Sequence, residues 1–147
     1  MKKYRPAVFI IPYSKTEKGT EFLLLKRKLH WRGWEFSKGG IKNKESKEKA
    51  AKRELLEETG LKLKKLKKLK YSGKYLYEKD FTDRPGYKGQ TFSLFAAEIK
   101  KDRIRLDKKE HSGFRWVDFK KAMKILTWPN QKKSLKIVND WLKDDEI

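Results

Sequence analysis

The chain has 147 residues without cysteine, which excludes a disulfide framework and thiol chemistry. Its 37% hydrophobic and 13% aromatic content is too high for a disordered protein, and the length predicts one domain over residues 1–147. Lys and Arg total 40 against 20 Asp and Glu, a net charge of +20. This charge favours an anionic partner, such as nucleotides, nucleic acid or an acidic membrane surface, over a merely solvated lysine-rich surface.

The N-terminal segment is basic, but its apolar run is short and is interrupted by Pro6 and Pro12. A signal peptide is therefore not expected. No stretch approaches the length of a membrane span. The sequence predicts a cytoplasmic protein that does not contact membranes, with a monomer as the favoured state.

Two β-strands are predicted near the N-terminus, from Ala7 to Tyr13 and from Glu21 to Arg27. Both are rich in aromatic, β-branched or aliphatic residues, and the turn from Ser14 to Thr20 would join them as a hairpin. The stretch from Lys28 to Phe36 is too irregular for a regular element, although its aromatic residues predict that it is anchored.

A helix with an acidic face is predicted next. Ser46 suits its N-cap, and Gly60 suits the left-handed position beyond its end. Glu54, Glu57 and Glu58 stand at i, i+3 and i+4, so their carboxylates share one side of the helix. A hard divalent cation such as Mg²⁺ or Mn²⁺ would relieve their mutual repulsion. Taken alone, the motif would rather indicate a solvated acidic face.

The segment from Leu61 to Lys70 is ambiguous. Its leucines alternate like a strand at first and then follow helical spacing, so a basic amphipathic membrane helix is an alternative to the favoured strand or loop. The rest of the middle region predicts three strands with a loop and a charged connection between them: strands Tyr71 to Phe81, Thr91 to Ile99 and Phe114 to Val117, loop Asp80 to Gln90, and connection Lys100 to Gly113.

Two helices are predicted to close the chain. Asp118 could cap a helix from Phe119 to Leu126, and Asn130 could cap the last one. The apolar side of the last helix consists of Leu135, Val138, Trp141 and Leu142. This order of strands and helices predicts an α+β protein with a mixed central sheet and helices on both of its faces.

The acidic helix belongs to a longer pattern. Gly39 is followed after five residues by Glu45, then after seven by Arg53-Glu54, an apolar residue, any residue, Glu57-Glu58, any residue, Gly60 and an apolar residue. This pattern resembles the Nudix box, G-x5-E-x7-R-E-U-x-E-E-x-G-U, at every defined position. The resemblance implies the Nudix fold, an α/β/α sandwich, and metal-dependent hydrolysis of a phosphoanhydride bond.

The stretches that flank the box resemble two particular groups of Nudix enzymes. Phe22–Leu25 and Trp34–Ile41 look like the F-L-L-L…W-x-x-P-K-G segment of asymmetric diadenosine tetraphosphate hydrolases and the W-x-F-P-K-G-G-I form of bacterial RNA 5′-pyrophosphohydrolases. Glu110–Trp116 resembles the E-x-x-x-[YFW]-R-W stretch of both groups. Gly89–Phe92 is similar to the G-Q-K of the RNA enzymes and of plant diadenosine hydrolases. Ser37 stands where these families usually have proline, which is expected to loosen a turn without removing chemistry.

The resemblance also implies a metal site. Glu54, Glu57 and Glu58 would bind Mg²⁺ or Mn²⁺, with the backbone of Gly39 close to metal or phosphate. Arg53 would orient Glu54 or Glu57 through an ion pair, and Glu45 would have a supporting or structural role.

The general base and the substrate contacts are less defined. Glu57 or Glu58 could accept the proton. Glu110 could also do so; it lies on the connection from Lys100 to Gly113, which we call the late loop, and is equally expected to be a solvated glutamate. Lys38 would contact phosphate. Stacking on the nucleobase is expected from an aromatic residue that could equally serve packing, with three candidates: Trp34, Tyr77 and Tyr87. We expect His111 to be a surface residue and His30 to be non-catalytic.

The leading activity implied is Mg²⁺-dependent cleavage of diadenosine tetraphosphate to ATP and AMP. Removal of pyrophosphate from the 5′ end of RNA is the first alternative, and the +20 charge favours it. Hydrolysis of a nucleoside triphosphate is the next. A non-catalytic RNA-binding Nudix module is a hypothesis of another class, but clustered carboxylates would not help a protein that only binds an anion.

Overall fold

The computed structural model describes residues 2–79 and 81–145, so Asp80 of the predicted loop Asp80 to Gln90 lies outside it. These residues form seven strands and three helices. In chain order they are β1 Lys3–Thr16, β2 Gly19–Arg27, β3 Gly33–Glu35, β4 Ser37–Gly40, α1 Lys47–Thr59, β5 Leu63–Leu76, β6 Tyr87–Ile99, β7 His111–Val117, α2 Phe119–Ile125 and α3 Pro129–Asp145.

Strand β1 is the centre of the sheet. It pairs in parallel with β6 on one side, and on the other side it pairs antiparallel with β4 and, further along, with β2. Strands β3 and β7 pair with β2, and β5 pairs with β6. The strand order is β3-β2-β1-β6-β5, and the combination of parallel and antiparallel pairs confirms the predicted mixed sheet.

Side chains of β1 alternate between two cores because successive residues of a strand point to opposite faces. Phe9 and Ile11 pack in the core beneath α2 and α3, whereas Val8 and Ile10 pack in the core beneath α1. The helices contribute buried residues to both cores: Ala122, Leu135, Val138 and Leu142 on one side, and Ala50, Ala51 and Leu55 on the other. The α/β/α sandwich and the α+β class are therefore confirmed.

Helix α1 begins and ends as its sequence predicts. The Ser46 side chain accepts a hydrogen bond from the Lys49 N–H (3.1 Å), and Gly60 has φ +71° with its N–H donating to the Leu56 carbonyl (2.8 Å). Both caps satisfy backbone groups that the helix itself leaves unpaired. They fix the length of α1 and hence the position of its acidic side.

Several predicted boundaries shift because strands extend beyond their apolar cores through backbone pairing. Strand β1 is longer than Ala7 to Tyr13, and only Glu17 and Lys18 separate it from β2. The stretch from Lys28 to Phe36 contains the short strand β3, which pairs with β2. The predicted loop that starts at Asp80 ends sooner than expected, since β6 begins at Tyr87.

Two local expectations are wrong. Asn130 does not cap α3, because the helix already begins at Pro129, a residue suited to the first helical position since it has no N–H to pair. Ser37 does not lie in a turn but in β4, where it is buried and paired with Ile10.

The segment from Leu61 to Lys70 is mostly strand, so the alternative of a membrane-surface helix is wrong. Among residues 2–79 and 81–145, no helix is both long enough and apolar enough to cross a bilayer.

Gly60→Ala is expected to lower the free energy of unfolding by about 1–2 kcal/mol, because a Cβ is unfavourable at positive φ. This Cβ would also lie 3.1 Å from the Arg105 Cβ. Urea denaturation followed by circular dichroism measures the change. The control is Gly113→Ala in β7, where the nearest atom would be 3.9 Å away, and a change within about 0.5 kcal/mol is expected. Equal decreases in the two variants would contradict this account.

Candidate active site

The three carboxylates predicted on α1 differ in their exposure. The Glu57 side chain is 54% exposed and Glu54 is 14% exposed, whereas Glu58 is 2% exposed. The acidic side of the helix therefore runs from solvent into the protein, and only its outer part is a solvated acidic face.

Arg53 holds this acidic side together. Its Nη1 lies 2.7 Å from Glu54 Oε1 and 3.4 Å from Glu57 Oε2, so it contacts both of the carboxylates that it was predicted to orient. Its Nε and Nη2 donate to Glu45, and Nη2 also donates to the Gly40 carbonyl at 2.9 Å. The hydrogen bonds from Arg53 lower the pKa of Glu45 to about 2.

Strand β4 lies directly against the carboxylates of α1. A Cβ on Gly39 would overlap the Glu54 carboxylate, so a glycine is required there for this close packing. The Lys38 N–H donates to Glu58 Oε1 at 3.3 Å. Gly39 is thus placed beside Glu54, and its contact with metal or phosphate stays a prediction.

Glu58 is a buried carboxylate with one unsatisfied oxygen. Within the described part of the chain, its Oε2 has no hydrogen-bond partner, and His111 Nε2 is 3.9 Å away. Burial raises the pKa of Glu58 well above its usual value, and the nearby Glu35, Glu54 and Glu110 raise it further. A nearby cation would favour the charged form of this carboxyl and so oppose the effect of burial.

A second buried carboxylate, Glu35, is surrounded by cations instead. Its oxygens lie 2.7 Å from His111 Nε2, 3.2 Å from Arg27 Nη1 and 3.3 Å from Lys38 Nζ. Burial alone would raise the pKa of Glu35, but these three groups outweigh it and lower the pKa to about 2. Glu35 is therefore ionised and fixes the positions of all three cations.

The late loop brings more acids to the same place. Glu110 lies 3.3 Å from Arg27, and Asp107 Oδ2 lies 3.1 Å from His111 Nδ1. Ligand atoms of Glu58, Asp107, Glu110 and His111 all lie within 4.8 Å of one another. Glu110 is therefore next to the acidic helix, and its role as general base stays a prediction.

His111 is not the surface residue that was expected. It is 1% exposed and bridges Glu35 and Asp107. Burial would lower the pKa of His111, but its hydrogen bonds and its attraction to Glu35 and Asp107 outweigh that effect and raise it.

The donor set fits a hard divalent cation. Glu58, Asp107 and Glu110 offer carboxylate oxygens, the ligands that Mg²⁺ and Mn²⁺ prefer, within 4.8 Å of one another. Glu54 and Glu57 are not part of this group, so their role as metal ligands stays a prediction. The unsatisfied oxygen of Glu58 is the specific observation in favour, because its burial is costly without a cation.

A cavity of about 530 Å³ adjoins this network. Arg27 and Lys38, which contact Glu35, also line the cavity, so the two sites share a wall. Its aromatic lining residues are Phe9, Trp31, Tyr75, Tyr77, Phe81 and Trp128, and Arg84 adds a further positive charge. A cavity with aromatic walls and a basic side suits a nucleobase linked to phosphates.

Two of the four predicted substrate contacts line the cavity. Lys38 does so, with its Nζ 5.6 Å from the Trp31 ring centre, and Tyr77 does so with its hydroxyl donating to Gln90. Trp34 and Tyr87 are not among the lining residues. Trp34 packs against the core in β3, and Tyr87 begins β6, so their substrate contacts stay predictions.

The sequence analysis missed several residues of this region. Glu35 and Arg27 are buried charges within apolar strands, a combination that could have indicated a paired site. Trp31 and Trp128 come from distant parts of the chain and meet edge to face at 5.2 Å. His30 lines the cavity with φ +72° and pairs with Asp83.

Comparisons with known proteins agree on a family. The NUDIX domain model matches residues 3–138. The RNA pyrophosphohydrolase of Pasteurella multocida is 32% identical over 127 residues, covering 79% of this chain and 62% of that protein. That of Haemophilus influenzae is also 32% identical, covering 79% and 63%. The chain thus spans about three fifths of the length of these curated relatives.

Solved structures share the fold. A protein described as a Nudix hydrolase from Listeria monocytogenes superposes with a TM-score of 0.80 at 27% identity, covering 98% of this chain and 97% of that one. The Ap4A hydrolase of C. elegans gives a TM-score of 0.77 at 24% identity, covering 95% and 98%.

Glu58→Gln is expected to stabilise the protein in the absence of divalent ions. A carboxyl whose pKa is raised by folding loses stability as the pH rises above its unfolded value, near 4.5, towards the folded value. Urea titrations in chelator should therefore show the variant gaining on the wild type as the pH rises above 4.5, with little difference below that pH.

Adding Mg²⁺ should make the wild type more stable than Glu58→Gln. An ion bound only by the folded state stabilises it by about 2.7 kcal/mol at 100 times its Kd. The wild type should gain this stability, and Glu58→Gln should gain much less. An equal gain would show that Glu58 does not contribute to ion binding.

Proposed function

The chain belongs to the Nudix hydrolase family, and from this premise we propose that it hydrolyses a phosphoanhydride bond of a nucleoside polyphosphate with the help of Mg²⁺ or Mn²⁺. The observation that carries the proposal is the shared wall between the acidic cluster and the aromatic cavity, formed by Arg27 and Lys38. A nucleoside held in the cavity has its phosphates next to the carboxylates. We propose that residues 1–147 act as one domain, as a monomer in the cytoplasm.

Glu54, Glu57 and Glu58 would hold the divalent ion, together with acids of the late loop. When bound, such an ion neutralises phosphate oxygens and acidifies water. Arg53 keeps Glu54 and Glu57 in place, so that their geometry does not depend on the substrate. Arg27 and Lys38 attract the phosphate chain as fixed positive charges.

Glu57 and Glu110 are the two candidates for the general base. Glu57 is the most exposed carboxylate of the acidic side of α1, and its single contact with Arg53 is long, at 3.4 Å. Glu110 is 34% exposed, and Arg27 and the turn at Asp107 hold it. Both can reach solvent, whereas Glu58 is buried. The pH–rate profiles of Glu57→Gln and Glu110→Gln distinguish the two candidates. Loss of the general base removes the decrease in rate at low pH that its protonation causes.

Two substrates fit this chemistry, and RNA with a 5′ triphosphate is favoured. The relatives of about 32% identity are RNA pyrophosphohydrolases, and the +20 charge suits a long polyanion. This reverses the order that the flanking motifs implied, in which diadenosine tetraphosphate came first. Diadenosine tetraphosphate remains the second candidate, because the cavity is suited to one of its two nucleosides.

Glu54→Gln is expected to reduce kcat/KM by more than about 100-fold, since even residues that support a metal ligand contribute 10–100-fold. The substrates are 5′-triphosphorylated RNA, diadenosine tetraphosphate and nucleoside triphosphates, each with Mg²⁺ or Mn²⁺. Glu48→Gln, an exposed acid in the first turn of α1, is the matched control and should keep its activity. No turnover of any substrate by the wild type would favour a binding module instead.

Trp31→Ala is expected to reduce kcat/KM by about 5- to 150-fold, because stacking on a base contributes about 1–3 kcal/mol. Most of the reduction should be in KM, since the carboxylates are unchanged. Phe114→Ala is the control, as this ring is 43% exposed and does not line the cavity. Equal kinetics for Trp31→Ala and the wild type would show that the nucleobase does not stack on Trp31.

A further inference from the structure

Strand β5 is an edge of the sheet with an unusual charge. It pairs with β6 alone and spans 14 residues, Leu63–Leu76, without an acidic residue. Six exposed lysines lie along it, which we call the basic edge: Lys64, Lys65, Lys67, Lys68, Lys70 and Lys74.

Most of these charges are not neutralised by the protein. Within residues 2–79 and 81–145, Lys65 pairs with Asp145 at 3.9 Å, and Lys74 lies over the Tyr4 ring. The other four lysines of the basic edge have no acidic partner in that part of the chain. Like charges in a row repel each other, so this arrangement costs stability in the absence of an anion.

The basic edge leads directly to the cavity. Tyr75 and Leu76 at the end of β5 line the cavity, as do Tyr77 to Lys79 immediately after it. The first residues of α3, Pro129 to Gln131, line the cavity from the opposite side. A chain that leaves the cavity between these two elements can follow the outer edge of the sheet, which β5 forms.

Aromatic rings and cations continue along this path. The Nζ of Lys133, from α3, lies 5.4 Å from the Tyr71 ring centre, and that of Lys65 lies 6.0 Å from the Trp141 ring centre. Positive charge alternating with aromatic rings is typical of surfaces that bind single-stranded nucleic acid. At about 3.3 Å per residue, β5 extends roughly 45 Å, enough for several nucleotides.

We propose that the basic edge binds single-stranded RNA that continues in the 3′ direction from a 5′ nucleotide held in the cavity. The inference rests on the proposed function and adds to it a surface that selects long RNA over small nucleotides. It gives the enzyme a preference that the cavity alone cannot supply, because the cavity contacts only the terminal nucleotide.

Two other roles of these lysines, protection of the edge strand and attraction to a membrane surface, predict different results from RNA binding. Lysines on an edge strand oppose pairing with another chain, and that role alone predicts more self-association after their removal, without a change in RNA affinity. A membrane surface would also attract them, but β5 is a strand whose leucines and tyrosines are half-buried or buried apart from Leu76, so it has no continuous apolar face to insert.

The test variant replaces Lys64, Lys67, Lys68 and Lys70 by Gln in the full chain. The control variant replaces four exposed lysines elsewhere, Lys15, Lys18, Lys120 and Lys121, so that both variants have the same net charge. Thermal melts verify that both variants fold. The probes are a 12-nucleotide single-stranded RNA with a 5′ hydroxyl, a dinucleotide and anionic phosphatidylserine vesicles. Affinity is measured at several salt concentrations, and hydrolysis of diadenosine tetraphosphate is measured separately.

The test variant should bind the 12-nucleotide RNA at least tenfold more weakly than the wild type and the control. The dependence of log K on log salt should become shallower by about 0.7 for each RNA phosphate that the variant no longer neutralises. Affinity for the dinucleotide and hydrolysis of diadenosine tetraphosphate should be unchanged, because neither uses the basic edge.

Equal affinity of the test variant and the wild type for the 12-nucleotide RNA would overturn the proposal, as would an equal decrease in the control. Stronger binding of the wild type to vesicles than to RNA would also overturn it. If the wild type hydrolyses no substrate but the test variant still loses RNA binding selectively, the proposed function fails and the RNA surface stands.

Discussion

The structure depends on two buried carboxylates that are treated in opposite ways. Glu35 forms close ion pairs with Arg27, Lys38 and His111, whereas the nearest basic group to Glu58 in the described part of the chain is His111 Nε2 at 3.9 Å. Burying a charge is costly unless it is paired. Folding therefore lowers the pKa of Glu35 and raises that of Glu58.

This arrangement is possible because β1 holds β4 against α1. The pairing of β1 with β4 places Lys38 and Gly39 beneath the acidic side of the helix. The absence of a side chain at Gly39 allows the Glu54 carboxylate to approach the backbone. A rigid sheet therefore sets the spacing of the carboxylates, which is a condition for binding an ion with defined geometry.

The same sheet separates the acidic residues from the aromatic cavity. The carboxylates lie between α1 and the late loop, the aromatic cavity lies between the end of β5 and the start of α3, and Arg27 and Lys38 connect them. Burial raises the pKa of Glu58, so ionisation of this side chain lowers the free energy of unfolding when no cation is bound. Such a loss of stability is common at functional sites. The four lysines of the basic edge that have no acidic partner within residues 2–79 and 81–145 are a second such cost, on the outer edge of the sheet.

The sequence alone determined the acidic helix, its caps at Ser46 and Gly60, the mixed sheet and the family, because these depend on local spacing and on residues with special backbone geometry. The resemblance to the Nudix box also implied the ion pair of Arg53 with Glu54 or Glu57, and the structure shows Arg53 in contact with both. Only the tertiary structure decided that Glu35, Arg27 and His111 form one buried network, and that Tyr77 but not Trp34 lines the cavity. Glu35 and His111 are 76 residues apart in the chain, and only the pairing of the strands brings them together.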